Sequence, residues 1–169
     1  PKNKFSKQGL FMQAWQRHYP GMIEWIDADT HGGIKNVNVA TMEFETDLDT
    51  FKADAASIVP GQRAGSIAMA AGVNDGDWCP IKPASMQSKA DENIYVLGDA
   101  SMAASMPKSG FSANSQAKVA ANHIRGSLTG SKIFGARYSN TCWSLVGTND
   151  GIKVGASYKA GDESIEATS

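Results

Sequence analysis

The chain has 169 residues, which is enough for one ordinary domain or for parts of two. Its apolar fraction of 41% and charged fraction of 20% are typical of a globular protein with a packed core. A formal net charge of −1 with both signs interspersed argues against a nucleic-acid-binding face, and no stretch approaches the ~20 consecutive apolar residues of a membrane-spanning helix.

The first sixty residues are predicted to form a helix followed by short strands. Apolar residues at a helical period predict a helix over residues 5–18, with Ser6 as a possible N-cap. Short apolar or alternating runs predict strands at 22–26, 37–45, 50–53 and 55–60, the last of them buried. Short strands that follow a helix suit the tail of a dinucleotide-binding domain.

The middle of the chain carries the densest pattern. A β-branched and aromatic run at 93–97 predicts a buried strand of the parallel type. A loop follows it, and residues 111–128 are strongly helical, with Gly126 and Gly130 bracketing the helix end. Strand, loop and long helix together make one half of a nucleotide-binding α/β unit. A short helix is also predicted upstream, at 66–71.

The last forty residues are predicted to be rich in strands, at 140–146, 151–158 and 164–168. We expect this appendix to pack as a separate small layer. Because the sequence opens without Met and closes in an alternating run, we also expect both ends to be truncation or processing points of a longer protein.

The cysteine and histidine content predicts neither a metal site nor a disulfide scaffold. Cys79 and Cys142 are the two cysteines, and neither has a second Cys or a His at metal-ligand spacing. The three histidines are scattered along the chain.

Gly98 and Asp99 follow the predicted buried strand at its carboxyl end, where open α/β sheets bind their ligands. A glycine there lets a ligand approach the backbone, and the aspartate can accept a hydrogen bond from a sugar-type hydroxyl. An ordinary strand, turn and helix-leading aspartate without any ligand would have the same sequence.

The loop before the long helix is a second candidate ligand site. The helix N-terminus near Phe111 offers unpaired N–H groups and a partial positive charge, beside Lys108, Ser109 and Gly110. Such an end favours an anion or electron-rich ligand atoms, by ~0.3–1 kcal/mol when exposed and up to about 2 kcal/mol when partly buried. The alternative is a plain helix start with a solvated lysine.

Several motifs together make the chain resemble the flavoprotein subunit of flavocytochrome c sulfide dehydrogenase. They are Phe-Ser-Lys-Gln at 5–8, Pro-Gly-Gln-Arg-Ala-Gly at 60–65, Trp-Cys-Pro-Ile at 78–81, Gly-Asp at 98–99, Met-Pro-Lys-Ser-Gly-Phe at 106–111 and Asn-Thr-Cys-Trp-Ser at 140–144. The resemblance implies an FAD protein that oxidises sulfide to sulfur or polysulfide and passes electrons singly to a c-type cytochrome subunit in the periplasm.

The resemblance also implies residue roles. Asp99 would bond the ribityl chain of FAD, Gly98 would allow that approach, and backbone N–H groups around Gly110 and Phe111, with Lys108 and Ser109 beside them, would face the flavin pyrimidine edge. Cys79 would be one half of a redox-active disulfide beside the flavin, which needs an accessible sulfur and a stabilised leaving thiolate. The partner cysteine and the family's first Gly-rich FAD motif have no match in this sequence, and alone Cys79 could be a buried free thiol.

The resemblance further implies an α/β fold class, a partial FAD/NAD(P)-binding two-dinucleotide-domain fold of the pyridine nucleotide-disulfide oxidoreductase type with a β-rich C-terminal appendix. Residues 1–82 would belong to the NADH-like domain, 83–130 to the FAD-binding domain and 131–169 to the appendix. Two other functions stay open: a sulfide:quinone oxidoreductase-like flavoprotein, and a non-catalytic electron-transfer or docking module. We expect the isolated chain to bind FAD weakly and to be inactive.

Overall fold

The computed structural model describes residues 5–168 of the chain. They form two compact units. One unit holds residues 5–60 together with 144–152, and the other holds 61–143 together with 153–168. Both mix helices with small antiparallel sheets.

The first unit contains two helices and a three-stranded sheet. Helix α1 spans Gln8–His18 and α2 spans Ala28–His31, where the Asp27 carboxylate accepts a hydrogen bond from the Thr30 N–H. Strands β1 (Ile34–Asn38), β2 (Glu43–Thr46) and β3 (Thr50–Lys52) pair antiparallel in that order. An aromatic cluster of Phe5, Phe11, Trp15 and Trp25, with ring centroids 5.0–6.2 Å apart, packs against α1.

Several expectations for this unit are wrong. The residue at the N-cap of α1 is Lys7 in a left-handed conformation, not Ser6, and no side chain caps the helix. Residues 22–26 and 55–60 are irregular rather than strands, and 55–60 is largely exposed. The predicted strand at 37–45 is broken by a turn over 39–42, in which Met42 has a φ of 56°. Alternation continued through the turn, so the sequence pattern missed it.

The second unit is built around helix α4, which spans Gly110–Thr129. It also contains α3 (Ser66–Ala70), a 3₁₀ turn at Gly98–Ala100, and most of a sheet of β4 (Arg137–Gly147), β5 (Asp150–Ala160) and β6 (Ile165–Ala167) in that order. The predicted helices at 66–71 and 111–128 and the three appendix strands are therefore confirmed, with ends that differ by at most three residues. Its core includes Ala64, Val73, Cys79, Ile81, Met86, Val96, Met106, Val119, Tyr138, Tyr158 and Ile165.

The buried parallel strand expected at 93–97 is wrong. That segment makes an isolated antiparallel bridge between Tyr95 and Gln87, and Leu97 is exposed. The Ser88 N–H donates to the Ile94 carbonyl at 2.7 Å and the Val96 N–H donates to the Met86 carbonyl at 3.0 Å, so the segment makes a short antiparallel pairing and not a strand of a parallel sheet. Of the appendix strands, 144–152 fall in the first unit and the other residues fall in the unit of α4. That the appendix packs as a separate layer stays a prediction. The sequence boundaries at 82 and 130 stay a prediction.

Neither a membrane-spanning helix nor a metal-binding side-chain cluster occurs in the described part of the chain. None of its helices is both long and apolar enough to cross a bilayer. Residues 5–168 also contain no cluster of three or more His, Cys, Asp or Glu side chains arranged to hold a metal ion.

Candidate functional site

The Trp78–Cys79 segment is fastened to the 3₁₀ turn at Gly98–Ala100. The Cys79 N–H donates to the Ala100 carbonyl at 2.9 Å, and the Met102 N–H donates to the Cys79 carbonyl at 2.8 Å. These two bonds form a parallel bridge between Cys79 and Ser101. The bridge holds Cys79 beside Ser101, which follows it by 22 positions in the sequence.

The Cys79 thiol lies inside the core of this unit. Its side chain has no exposed surface, in the same buried cluster as Ile81, Met86 and Val96. Burial raises the pKa of the Cys79 thiol, and the positive charge of Lys108 acts against that rise. The accessible sulfur expected from the sequence is therefore absent in this conformation. At neutral pH the group is a protonated thiol.

Lys108 holds the 3₁₀ turn against Trp78. Its ammonium group donates to the carbonyls of Asp99 at 2.5 Å and Ser101 at 3.0 Å. It also stands over the Trp78 ring, 3.7 Å from the centroid, in a cation–π contact. Burial lowers the pKa of Lys108, opposed by the charge of Asp99. Lys108 is thus hydrogen-bonded within this chain, although the residue is exposed to solvent.

Gly98 and Asp99 present the face on which a ligand could lie. Gly98 has a φ of +70°, a conformation that side chains rarely adopt, and its N–H donates to the Gln116 carboxamide oxygen at 2.7 Å. This bond fastens the turn to α4. The Asp99 side chain is exposed, and its carboxylate accepts no hydrogen bond from the residues that the structure describes. It is therefore available to a hydroxyl donor.

Helix α4 begins beside this turn. The Ser109 hydroxyl accepts from the Ser112 N–H at 3.1 Å, which makes Ser109 the N-cap. The N–H groups of Gly110 and Phe111 make no hydrogen bond within residues 5–168. Phe111 is 44% exposed, and its ring lies 6.3 Å from that of Trp143, which is 64% exposed. The start of the helix is open to a ligand.

The structure therefore brings most of the sequence-predicted residues together. Cys79, Asp99 and Lys108 meet around one turn, and Ser109, Gly110 and Phe111 follow Lys108 directly in the chain. Sequence reasoning missed Gln116, which binds Gly98, and Asn140, which binds Ser109. Only their positions, inside a helix and just before Cys142, were visible in the sequence. No pattern in the neighbouring sequence indicated either hydrogen bond.

Two family models match separate parts of the chain. Residues 1–60 match the central part of the sulfide dehydrogenase [flavocytochrome c] flavoprotein chain, and residues 135–169 match the flavin-binding part of flavocytochrome c sulphide dehydrogenase. The chain belongs to the flavocytochrome c sulfide dehydrogenase flavoprotein family. The candidate residues from Cys79 to Phe111 lie between the two matched segments of this family.

Among solved structures, a chain of the Tetrahymena thermophila mitochondrial ATP synthase, an F1Fo composite tetramer, is similar in fold. The TM-score is 0.60 at 21% sequence identity, over 73% of this chain. At that identity the similarity concerns the fold alone. The chain spans 31% of the length of that protein chain.

The cofactor of the flavocytochrome c sulfide dehydrogenase flavoprotein family is FAD, as its flavin-binding part implies. Residues 98–111 contain the groups that such a cofactor needs: an exposed carboxylate, a backbone that a ligand can approach, and unpaired first-turn N–H groups. These residues fit FAD.

Proposed function

We propose that this chain supplies one wall of the FAD site, formed by residues 98–111, in a sulfide-oxidising flavoprotein that passes electrons to a c-type cytochrome. The observation that carries the proposal is the meeting of the Cys79 segment, the Gly98–Asp99 turn and the start of α4 within one compact unit. The two family matches on either side of that unit's central residues support it. The complete protein would then have a two-dinucleotide-domain fold and act in the periplasm.

Each residue of the wall has a separate task in this proposal. The Asp99 carboxylate accepts hydrogen bonds from the ribityl hydroxyls, and Gly98 allows the chain of the sugar alcohol to pass close to the backbone. The N–H groups of Gly110 and Phe111 donate to the pyrimidine edge, where the helix dipole favours negative charge. Lys108 keeps the turn in place through its two carbonyl contacts.

Cys79 carries the sulfur chemistry in this proposal, together with a second cysteine supplied from outside this chain. A hydrosulfide ion attacks one sulfur of the Cys79 disulfide, a new sulfur–sulfur bond forms, and the old bond breaks with its electron pair leaving as a thiolate. Over the full cycle a hydrosulfide ion loses one proton and two electrons to become sulfur. FAD supplies an acceptor for that electron pair that can release the electrons one at a time.

The positive charge of Lys108 favours formation of a thiolate at Cys79. It is the group in this structure that lowers the pKa of Cys79, against the larger effect of burial. A thiolate at Cys79 requires that the sulfur leave the apolar core or that its surroundings become polar when the cofactor and the rest of the protein are in place.

The test is Cys79→Ser in the complete flavoprotein, with Cys142→Ser as the matched control. We expect Cys79→Ser to abolish sulfide-dependent reduction of the cytochrome while FAD stays bound, because Cys79 touches the sulfur substrate and the cofactor contacts lie elsewhere. Stopped-flow bleaching of the flavin by sulfide measures this. Unchanged turnover in Cys79→Ser would remove Cys79 from the mechanism.

The complete burial of Cys79 favours a second function, a non-catalytic electron-transfer or docking module in which this thiol is only a core residue. The exposed aromatic pair of Phe111 and Trp143 would then be part of the docking surface. Absence of flavin from the purified complete protein, or flavin that sulfide does not bleach, would select this alternative.

A further inference from the structure

A buried carboxamide links strand β4 to the start of α4. Asn140 is 5% exposed, and its oxygen accepts hydrogen bonds from the hydroxyls of Ser109 at 2.6 Å and Ser112 at 3.1 Å. Its amide nitrogen donates to the Cys142 sulfur at 3.3 Å. All three contacts lie within one compact unit, and Ser112 is 1% exposed.

These contacts determine which groups donate and which accept around the Asn140 carboxamide. Because the Cys142 sulfur takes the amide donor, the carboxamide oxygen faces the two serines. The Ser109 proton is then committed to Asn140, so the lone pairs of the same hydroxyl are left for the Ser112 N–H. Without Asn140 the Ser109 hydroxyl could rotate toward water.

Burial makes the cluster costly to disturb. Ser112 and Asn140 have almost no access to water, so a polar group that lost its partner there would stay unsatisfied. A second contact between the same elements serves as a reference: the Ser139 N–H donates to the Ser115 hydroxyl at 2.9 Å. That bond holds β4 to α4 nearly two helical turns away from the Ser109 cap.

The position of Asn140 connects the cluster to the cofactor. It belongs to residues 135–169, the segment that matches the flavin-binding family model, whereas the first N–H groups of α4 lie outside that match. Through Ser109, Asn140 determines how the N-cap is held, and the cap sets the direction of the N–H groups of Gly110 and Phe111.

We propose that Asn140 is a positioning residue for the flavin: it locks the Ser109 cap so that the first N–H groups of α4 point at the pyrimidine edge. This inference rests on the proposed function. Asn140 acts through Ser109.

The experiment uses the complete flavoprotein and compares Asn140→Leu with Ser115→Ala. Asn140→Leu has a similar size but removes all three contacts of the carboxamide, whereas Ser115→Ala loosens the same strand and helix without touching the cap. The readouts are the dissociation constant of FAD from the apoprotein and the hydrogen-exchange rates of the amides at 110–112. We expect Asn140→Leu to weaken FAD binding about tenfold and Ser115→Ala less than about twofold.

Asn140→Asp tests the positioning role through the flavin reduction potential, which the loss of a purely structural contact would not shift. The carboxylate keeps two hydrogen-bond acceptors for the serines but adds a negative charge beneath the helix start. We therefore expect near-normal FAD affinity and a downward shift of the flavin reduction potential, since a nearby anion disfavours a negatively charged reduced flavin.

The outcomes separate the two proposals. FAD affinity and amide exchange in Asn140→Leu equal to those of Ser115→Ala would overturn the positioning role. If Asn140→Leu fails to fold, Asn140→Asp decides, and an unchanged reduction potential overturns the role. Purification of the unaltered complete protein without flavin would instead overturn the proposed function itself.

Discussion

The two cysteines of the chain differ in surroundings although both are free thiols in the structure. Cys79 has no exposed surface and stands in the apolar core, whereas Cys142 is half-buried and accepts a hydrogen bond from Asn140. A reagent reaches Cys79 only when the core opens.

We therefore expect the two thiols to be alkylated at different rates under native conditions. In the isolated chain, Cys142→Ser leaves Cys79 as the single target and Cys79→Ser leaves Cys142. Mass spectrometry at neutral pH should show Cys142 reacting at least about tenfold faster, because accessibility and thiolate fraction both limit Cys79. Both should react alike in denaturant. Equal native rates would mean that Cys79 is accessible, as the sequence alone suggested.

Three buried acids predict how stability depends on pH. Burial raises the pKa values of Cys79, Tyr138 and Tyr158 above their ordinary values of 9.0, 10.0 and 10.0. Between the ordinary and the raised pKa, the unfolded chain loses a proton that the folded chain keeps, so the free energy of unfolding falls as pH rises above about 9. The lowered pKa of Lys108 acts in the opposite direction over the same range.

Tyr138→Phe isolates one part of this effect. The Tyr138 hydroxyl donates to the Pro83 carbonyl, so the variant should be less stable at pH 8. Its free energy of unfolding should fall less steeply toward pH 11, because one group with a raised pKa has gone. Denaturant titrations at several pH values measure both slopes, and parallel slopes for the variant and the unaltered chain would contradict the assignment.

At the scale of elements, α4 was predictable and the segment before it was not. Twenty residues of helix carry their own periodic signal, and the cap and end residues, Ser109 and Gly130, lie where helix rules place them. Residues 93–97 have strand composition, but strand formation depends on a neighbour that the local sequence does not specify. The Asn140 contact was invisible for the same reason, since its partners lie about thirty residues away.

Two glycines in helices should respond oppositely to alanine. An added Cβ at Gly9 in α1 meets nothing within 4 Å, so Gly9→Ala should stabilise the chain by about 0.5–1 kcal/mol through helix propensity. At Gly126 in α4 the same atom would lie 2.2 Å from Ile133 Cγ1 and 3.0 Å from the Ser131 carbonyl oxygen. Gly126→Ala should therefore lose about 1 kcal/mol or more, because overpacking outweighs propensity. Thermal unfolding followed by helical circular dichroism tests the pair, and a stabilising Gly126→Ala would show that the 131–133 loop yields freely.

At the scale of the whole molecule, the resemblance identified the family, and the structure supplied what composition and periodicity could not. Trp78-Cys79 and Gly98-Asp99 are separate motifs in the sequence, and only the bridge between Cys79 and Ser101 makes them one site. The family models match residues on both sides of these motifs, and the candidate site rests on the backbone contacts that bring the motifs together.

The wall formed by residues 98–111 also predicts what the isolated chain can do with FAD. The Asp99 carboxylate and the start of α4 are exposed, and a dinucleotide site is built from both halves of its fold, including a Gly-rich phosphate loop that this sequence lacks. A cofactor held on one side keeps most of its surface in water and gains too few contacts to offset its lost freedom. Titration of the 169-residue chain into FAD, followed by flavin fluorescence, should show no saturation below micromolar concentrations.

Asp99→Asn should leave that weak signal nearly unchanged in the isolated chain but weaken FAD binding by the complete flavoprotein, where the opposite wall holds the ribityl chain against the carboxylate. Sub-micromolar affinity of the isolated chain would mean that residues 98–111 and their neighbours form a sufficient site by themselves.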